Sequence, residues 1–269
     1  TLADTGEGET AGHLSAEHAL RLKVAQLAAT LESTTDGILV TDLERNVLRC
    51  NGRFREMWQL SPEMIDAGME GAMQHLLAQV KDPVASFERF NSIYSGPFAG
   101  SHAQIEFLDG RVVERSSQAL VVDGLDTGRV HCFRDVTQHV RDTRMQAALH
   151  RISEAAHHAS EMPELFRRIH EIIGELLPAR NFFVALYDAG IDELSFPYFV
   201  DEFDPAPAPR PLDSGTLAGE VIRQGRAFLV TPDTLASLPE TMQSIVGSES
   251  LDWLGVPLAS GEHTIGALV

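Results

Sequence analysis

Apolar residues along the chain change their period several times, and each change marks a boundary between elements. Residues 14–34 contain no Gly or Pro, and Leu20, Val24, Leu27 and Leu31 recur at spacings of four, three and four. That pattern fits the a/d seam of a short coiled coil, and equally one amphipathic helix packed on its own domain. Asp36-Gly37 interrupts it. Residues 38–41 and 46–50 then predict a hairpin around the turn 42–45. Helical spacing returns over 51–60, 69–80 and 83–94. Strand-like runs follow at 102–108, 111–122 and 129–136, separated by the hairpin turns Asp109-Gly110 and Asp123-Gly124.

Asp135-Val136-Thr137-Gln138 places Gln three residues after Asp, a capping-box pattern that starts a helix where the last strand ends. Met145, Leu149, Ile152, Ala156 and Ala159 extend it as a second heptad seam, one built partly of small residues. Pro163 opens a further amphipathic helix, with Leu165, Phe166, Ile169, Ile172, Ile173 and Leu176 on its apolar side and Pro178 at its end. Strands are predicted over 182–187 and 194–200, and the Pro-rich stretch 204–211 reads as a stiff, extended loop. A helix over 216–224, a strand over 227–230, a helix over 235–246 and strands over 252–258 and 263–269 complete the reading.

A length of 269 residues suggests two domains. Hydrophobic residues at 43% and charged residues at 22% exclude wholesale disorder. The formal net charge of −18 disfavours nucleic acid and anionic lipid as partners. All basic residues but Lys23 and Lys81 are Arg, a skew that reads as base composition rather than an anion site. No apolar run approaches the roughly 20 residues that span a bilayer, and the first residues lack a signal-peptide pattern. Cys50 and Cys132 are too few for a disulfide scaffold and too far apart for a metal knuckle. A cytoplasmic location is therefore expected. The polar opening and the strand-like run at the end suggest a segment of a longer protein.

Catalysis needs a poised constellation of side chains, and none is evident. The sequence holds no GxGxxG, Walker-type or HExxH motif. His157 and His158 are adjacent, hence about 100° apart on a helix, and cannot clamp one metal ion together.

Asp36-Gly37-Ile38-Leu39-Val40-Thr41-Asp42, Asn51-Gly52-Arg53-Phe54, Asp109-Gly110-Arg111 and Arg134-Asp135-Val136-Thr137 resemble, in this order, the elements of a PAS sensor domain. The second half is similar to a GAF domain in residues 176–182, 196–202, 210–212 and 253–258. The resemblance implies an α+β protein of two sensor domains, each a central antiparallel sheet flanked by helices, joined by a long helix. The expected layout is a disordered linker over 1–13, a signalling helix over 14–34, PAS over 35–138, a connecting helix over 139–160 and GAF over 161–269. An intact GAF domain has a further strand and helix, so truncation is expected.

The resemblance implies a non-catalytic sensory and dimerisation region upstream of an output domain, here a diguanylate cyclase of the cyclic di-GMP type. The alternatives are a histidine kinase or a ligand-free dimerisation scaffold. No GGDEF or EAL motif is present. His170-Glu171-Ile172-Ile173 has the look of a phosphoacceptor box but falls in a predicted GAF helix. No cofactor is identified. Cys50 precedes Asn51 where a flavin-binding Cys would follow it, the GAF part has no Cys for a bilin, and His75 is no clear haem ligand. Pockets are expected between sheet and helices. The PAS candidates are Phe54, Trp58, His75, Phe87, Phe90, Tyr94, Phe107 and Ser117, and the GAF candidates are Phe183, Tyr187, Tyr198, Phe199, Thr216 and Trp253. Asp135 and Thr137 are expected to couple sheet to helix. Leu20, Val24, Leu27, Leu31, Met145, Leu149, Ile152 and Ala156 are the expected homodimer seams.

Overall fold

A computed structural model describes residues 5–66, 68–95, 100–159, 161–235, 252–261 and 263–269. The chain divides into two compact units, Thr1–Asp142 and Thr143–Val269. In the first, helix α1 (Thr5–Glu32) precedes β1 (Gly37–Asp42), β2 (Val47–Cys50), four short helices, and then β3 (Ser101–Glu106), β4 (Val112–Val122) and β5 (Leu125–Asp135). The helices are α2 (Gly52–Met57), α3 (Pro62–Asp66), α4 (Gly68–Leu77) and α5 (Pro83–Ser95). The expected linker over 1–13 is therefore corrected from Thr5 onward. Three glycines in that stretch weaken helix propensity by about 1 kcal/mol each without stopping the helix.

The strands form one antiparallel sheet in the order β2-β1-β5-β4-β3. Asp123 and Gly124 both take positive φ at the β4–β5 turn, as the Asp-Gly pair dictates. Gly128 is required where β5 passes β1, because a Cβ there would run into the Thr41 carbonyl. Leu39, Val113, Phe133 and Phe107 meet Phe54, Met57 and Trp58 beneath the helices, with all seven buried. Asp36, just ahead of β1, accepts hydrogen bonds from Arg134 on β5 at 2.8 and 3.2 Å, and these hold its carboxyl below the usual range.

One side chain joins α1, β1 and α2. Asn51, only 2% exposed, donates from Nδ2 to the carbonyls of Leu31 and Asp36 and to Thr34 Oγ1. Its Oδ1 accepts from the Ile38 and Phe54 amides, capping α2. Glu32 Oε2 accepts from the Gly52 amide at 2.8 Å. The end of α1 is thus fixed to the sheet by polar bonds, while Leu20, Val24 and Leu27 stay exposed and Leu31 is half-buried.

Helix α6 (Thr137–His158) contains the division between the units. Its expected seam residues Met145, Leu149 and Ala156 are exposed and Ile152 is half-buried, whereas Ala148 and Ala155 are buried. The second unit continues with α7 (Met162–Leu176), β6 (Phe182–Asp188), β7 (Glu193–Val200), α8 (Leu217–Gln224), β8 (Phe228–Val230), α9 (Pro232–Leu235), β9 (Trp253–Ser260) and β10 (His263–Leu268). The helix expected over 235–246 lies, beyond its first residue, outside the described residues. The sheet order is β7-β6-β10-β9-β8. Its two faces are packed separately. Phe182 and Val184 meet Phe166 of α7, and Ala185 and Ala267 meet Val221 and Ile222 of α8. The Pro-rich loop runs along the edge, where Arg210 and Leu194 exchange backbone hydrogen bonds.

Asn51→Ala removes five hydrogen bonds, one of them the cap of α2, so it should destabilise the first unit by about 3 kcal/mol. A urea midpoint within error of wild type would show that these bonds do not hold α1 to the sheet.

Candidate functional site

Strand alternation decides what the first unit encloses. Val113, Arg115 and Ser117 of β4 face inward together, as do Arg129, His131 and Phe133 of β5 and Leu39 and Thr41 of β1. The register sets Arg115 beside Phe133, Ser117 beside His131 and Thr41 beside Arg129. One end of the inner face is therefore apolar, and the other carries two guanidinium groups, an imidazole and two hydroxyls. All five of these polar residues are at most 4% exposed.

A hydrogen-bonded chain ties this polar end to α5. Thr41 Oγ1 meets Tyr94 Oη at 2.8 Å, and Tyr94 Oη meets His131 Nε2 at 2.9 Å. Arg129 Nη2 donates to the Ile93 carbonyl at 2.9 Å. Burial, followed by the charges of Arg115 and Arg129, pushes the His131 pKa down to about 3. His131 is thus neutral at physiological pH.

A cavity of about 50 Å³ lies between the sheet and helices α4 and α5. Its sheet wall is Leu39, Ile105, Phe133 and Arg115, and its helical wall includes Met73, Leu76, Ser86 and Phe90, with Phe54 and Trp58 at one end. Three of the expected PAS residues, Phe54, Trp58 and Phe90, line it directly. Phe107 is fully buried behind Trp58, with ring centroids 4.7 Å apart. Tyr94 and Ser117 belong to the polar end. His75 does not face the cavity, and its Nε2 lies 3.2 Å from the Trp58 carbonyl. Phe87 is a correction. It is 42% exposed on an outer groove of α5, because a neighbour of inward-facing Ser86 points about 100° away.

Arg115, His131, Arg129 and Thr41 are absent from the aromatic-based expectation. The alternation of Val113, Arg115 and Ser117 carried the signal, since it sets a cation on the apolar parity of a central strand. Among the described residues no group of His, Cys, Asp and Glu is arranged to hold a metal.

In the second unit the expected pocket residues do not form one set. Phe183, Tyr187 and Trp253 pack on the α8 face, with Phe199 stacked on Phe183 at 5.4 Å. Tyr198 packs on the opposite, α7 face with His170 and Phe182, because it is one residue from Phe199 along the strand. Thr216 caps α8 by accepting from the Gly219 amide.

At the end of the first sheet, Asp135 Oδ1 accepts from Thr137 N at 3.0 Å and Thr137 Oγ1 at 2.5 Å. Thr137 Oγ1 in turn accepts from the Val112 amide at 2.9 Å. Two side chains therefore connect the last residue of β5, the first of β4 and the first of α6. Burial raises the Asp135 pKa, but the bonds from Thr137 outweigh it and leave the carboxyl below its ordinary value.

A His whose folded pKa is depressed costs stability as pH falls below its unfolded value, because the unfolded chain alone takes the proton. His131 should therefore remove about 2 kcal/mol between pH 7 and pH 5, given its folded value of about 3. Urea unfolding at both pH values should show a smaller loss in His131→Gln. An equal loss in both proteins would mean that His131 is not buried in neutral form.

Residues 31–144 match the family model of the PAS fold, and residues 159–269 match that of the GAF domain. No curated protein matches the chain. The solved sensor region of a sensor histidine kinase is similar at 19% identity and a TM-score of 0.33, covering 39% of this chain, which spans 40% of that one. The PAS domain of an HTR-like protein from Haloarcula marismortui is 19% identical with a TM-score of 0.33, over 45% of this chain and 98% of that one. The GAF domain of an Acinetobacter phosphoenolpyruvate-protein phosphotransferase is 15% identical with a TM-score of 0.36, over 47% and 74%. Among the described residues no helix is long and apolar enough to cross a membrane. The chain belongs to the proteins that join a PAS fold to a GAF domain.

Proposed function

We propose that the chain is the sensory and regulatory region of a cytoplasmic bacterial signalling protein, without catalysis of its own. The PAS interior takes up a small molecule, and the change is passed through α6 to an output domain in the same protein. The observation that carries this reading is the junction of Asp135, Thr137 and Val112, which ties the sheet enclosing the cavity to the start of α6. A shift of β4 or β5 must move the first turn of α6 or break one of these bonds. A packed helix with two discrete arrangements then transmits the bias.

The output is a diguanylate cyclase on this reading, with a histidine kinase as the second possibility. The exposed apolar residues of α1 and α6, Leu20, Val24, Leu27, Met145 and Leu149, pair with a second copy. A monomeric protein in sedimentation at micromolar concentration would contradict that pairing. A ligand-free dimerisation scaffold is the competing view, and a small molecule that raises the melting temperature separates the two.

Asp135→Ala with Thr137→Ala should leave both units folded and abolish regulation. Allosteric coupling of this kind is typically worth about 5–150-fold, and output activity of the full protein with and without its stimulus should lose that ratio. An unchanged ratio in the double variant would refute transmission through this junction.

A further inference from the structure

Resting on the reading of the PAS interior as a ligand site, we infer that the ligand is a small organic carboxylate whose head pairs with Arg115. Arg115 lines the cavity and is only 4% exposed. Its side chain's one hydrogen bond to a described residue is a long one, from Nη2 to Ser101 Oγ at 3.4 Å, and Nε has no partner. Among the described residues no carboxylate pairs with it, and the titratable groups that act on it are the Tyr94 phenol and a second cation, Arg89. A guanidinium taken out of water without a counter-charge is among the costliest arrangements a core can hold.

A second observation points the same way. Trp58 also lines the cavity, is 4% exposed, and its indole Nε1 has no hydrogen-bond partner. Arg and Trp side chains are donors only. Among the described residues that line the cavity, the two with an unpartnered buried polar atom therefore both ask for an acceptor, and one of them asks for negative charge. The rest of the wall is hydrocarbon and aromatic, including Leu39, Met73, Phe90 and Phe133. A planar carboxylate matches the guanidinium fork, and an apolar body matches the remaining wall. The cavity of about 50 Å³ favours short acids, with longer ones entering as α4 and α5 give way. Arg129, buried beside Thr41, adds a second positive charge at the polar end.

The experiment uses the 269-residue chain with Trp253→Phe, which leaves Trp58 as its single tryptophan. Straight-chain acids from acetate to hexanoate are titrated at constant ionic strength, with the corresponding amides and chloride as controls. At least one acid should change Trp58 emission saturably and raise the melting temperature, while its amide and chloride do neither. Arg115→Met should weaken that acid roughly thirtyfold or more, and should itself melt no lower than the parent protein. Should Arg115→Met fail to fold, Arg115→Lys carries the test, keeping the charge but losing affinity with the fork.

Equal binding of acid and amide would overturn the anionic ligand while leaving a sensing PAS interior in place. Binding of the acid unaltered in Arg115→Met, or no saturable response to any acid, would overturn the inference alone. The response of the output domain through Asp135 and Thr137 is measured independently of it.

Discussion

The two-residue alternation of β4 and β5 is the constraint on which the first unit depends. Because successive side chains point to opposite faces, Val113 and Phe133 can be set inside only if Arg115, Ser117, Arg129 and His131 go with them. A slip of one residue would bury Glu114 and Arg134 instead and would break the ion pair of Arg134 with Asp36. The register is therefore settled, and with it an inner face that is half hydrocarbon and half polar, with two cations in the polar half. The helix that covers the polar half has to supply acceptors. Helix α5 does so with Tyr94, which reaches both Thr41 and His131, and with the Ile93 carbonyl for Arg129. Arg115 is the cation left over, and it is the one that meets the cavity.

The same strands that carry the charged interior end at the junction with α6. β5 finishes in Asp135 and β4 starts at Val112, and Thr137 binds both. Any ligand that pulls on Arg115 acts on β4 three residues from Val112. The route from interior to helix is thus short and made of few bonds. Asn51 provides a comparable junction at the other end, where α1 meets β1 and α2. Both flanking helices of the PAS unit are tied to its sheet by polar side chains, Asn51 at one end and Asp135 with Thr137 at the other.

Much of this architecture is readable from the sequence, and the unreadable part has physical causes. Asp-Gly pairs announce the hairpins, because few other residues accept the positive φ that those turns need. The family signatures around Asp36, Asn51 and Asp135 coincide with residues that make the junctions. The site was less legible. Selecting large aromatics finds Phe54, Trp58 and Phe90, but it also takes Phe87, which helical rotation turns outward. In the GAF unit it joins Tyr198 to Phe199, which strand alternation sends to opposite faces. Composition does not single out Arg115, because a surplus of arginine over lysine reads as base composition. Only its parity with Val113 and Ser117 marks it as buried. The polar opening, rich in glycine, hid the early start of α1.

Hydrogen exchange of the amides, with and without the tightest-binding short carboxylate, tests the central claim most directly. The account requires slower exchange in β4 around Arg115 and in the first turn of α6, with the α6 effect lost in the Asp135→Ala, Thr137→Ala protein. Protection confined to surface segments, or none in β4, would contradict it.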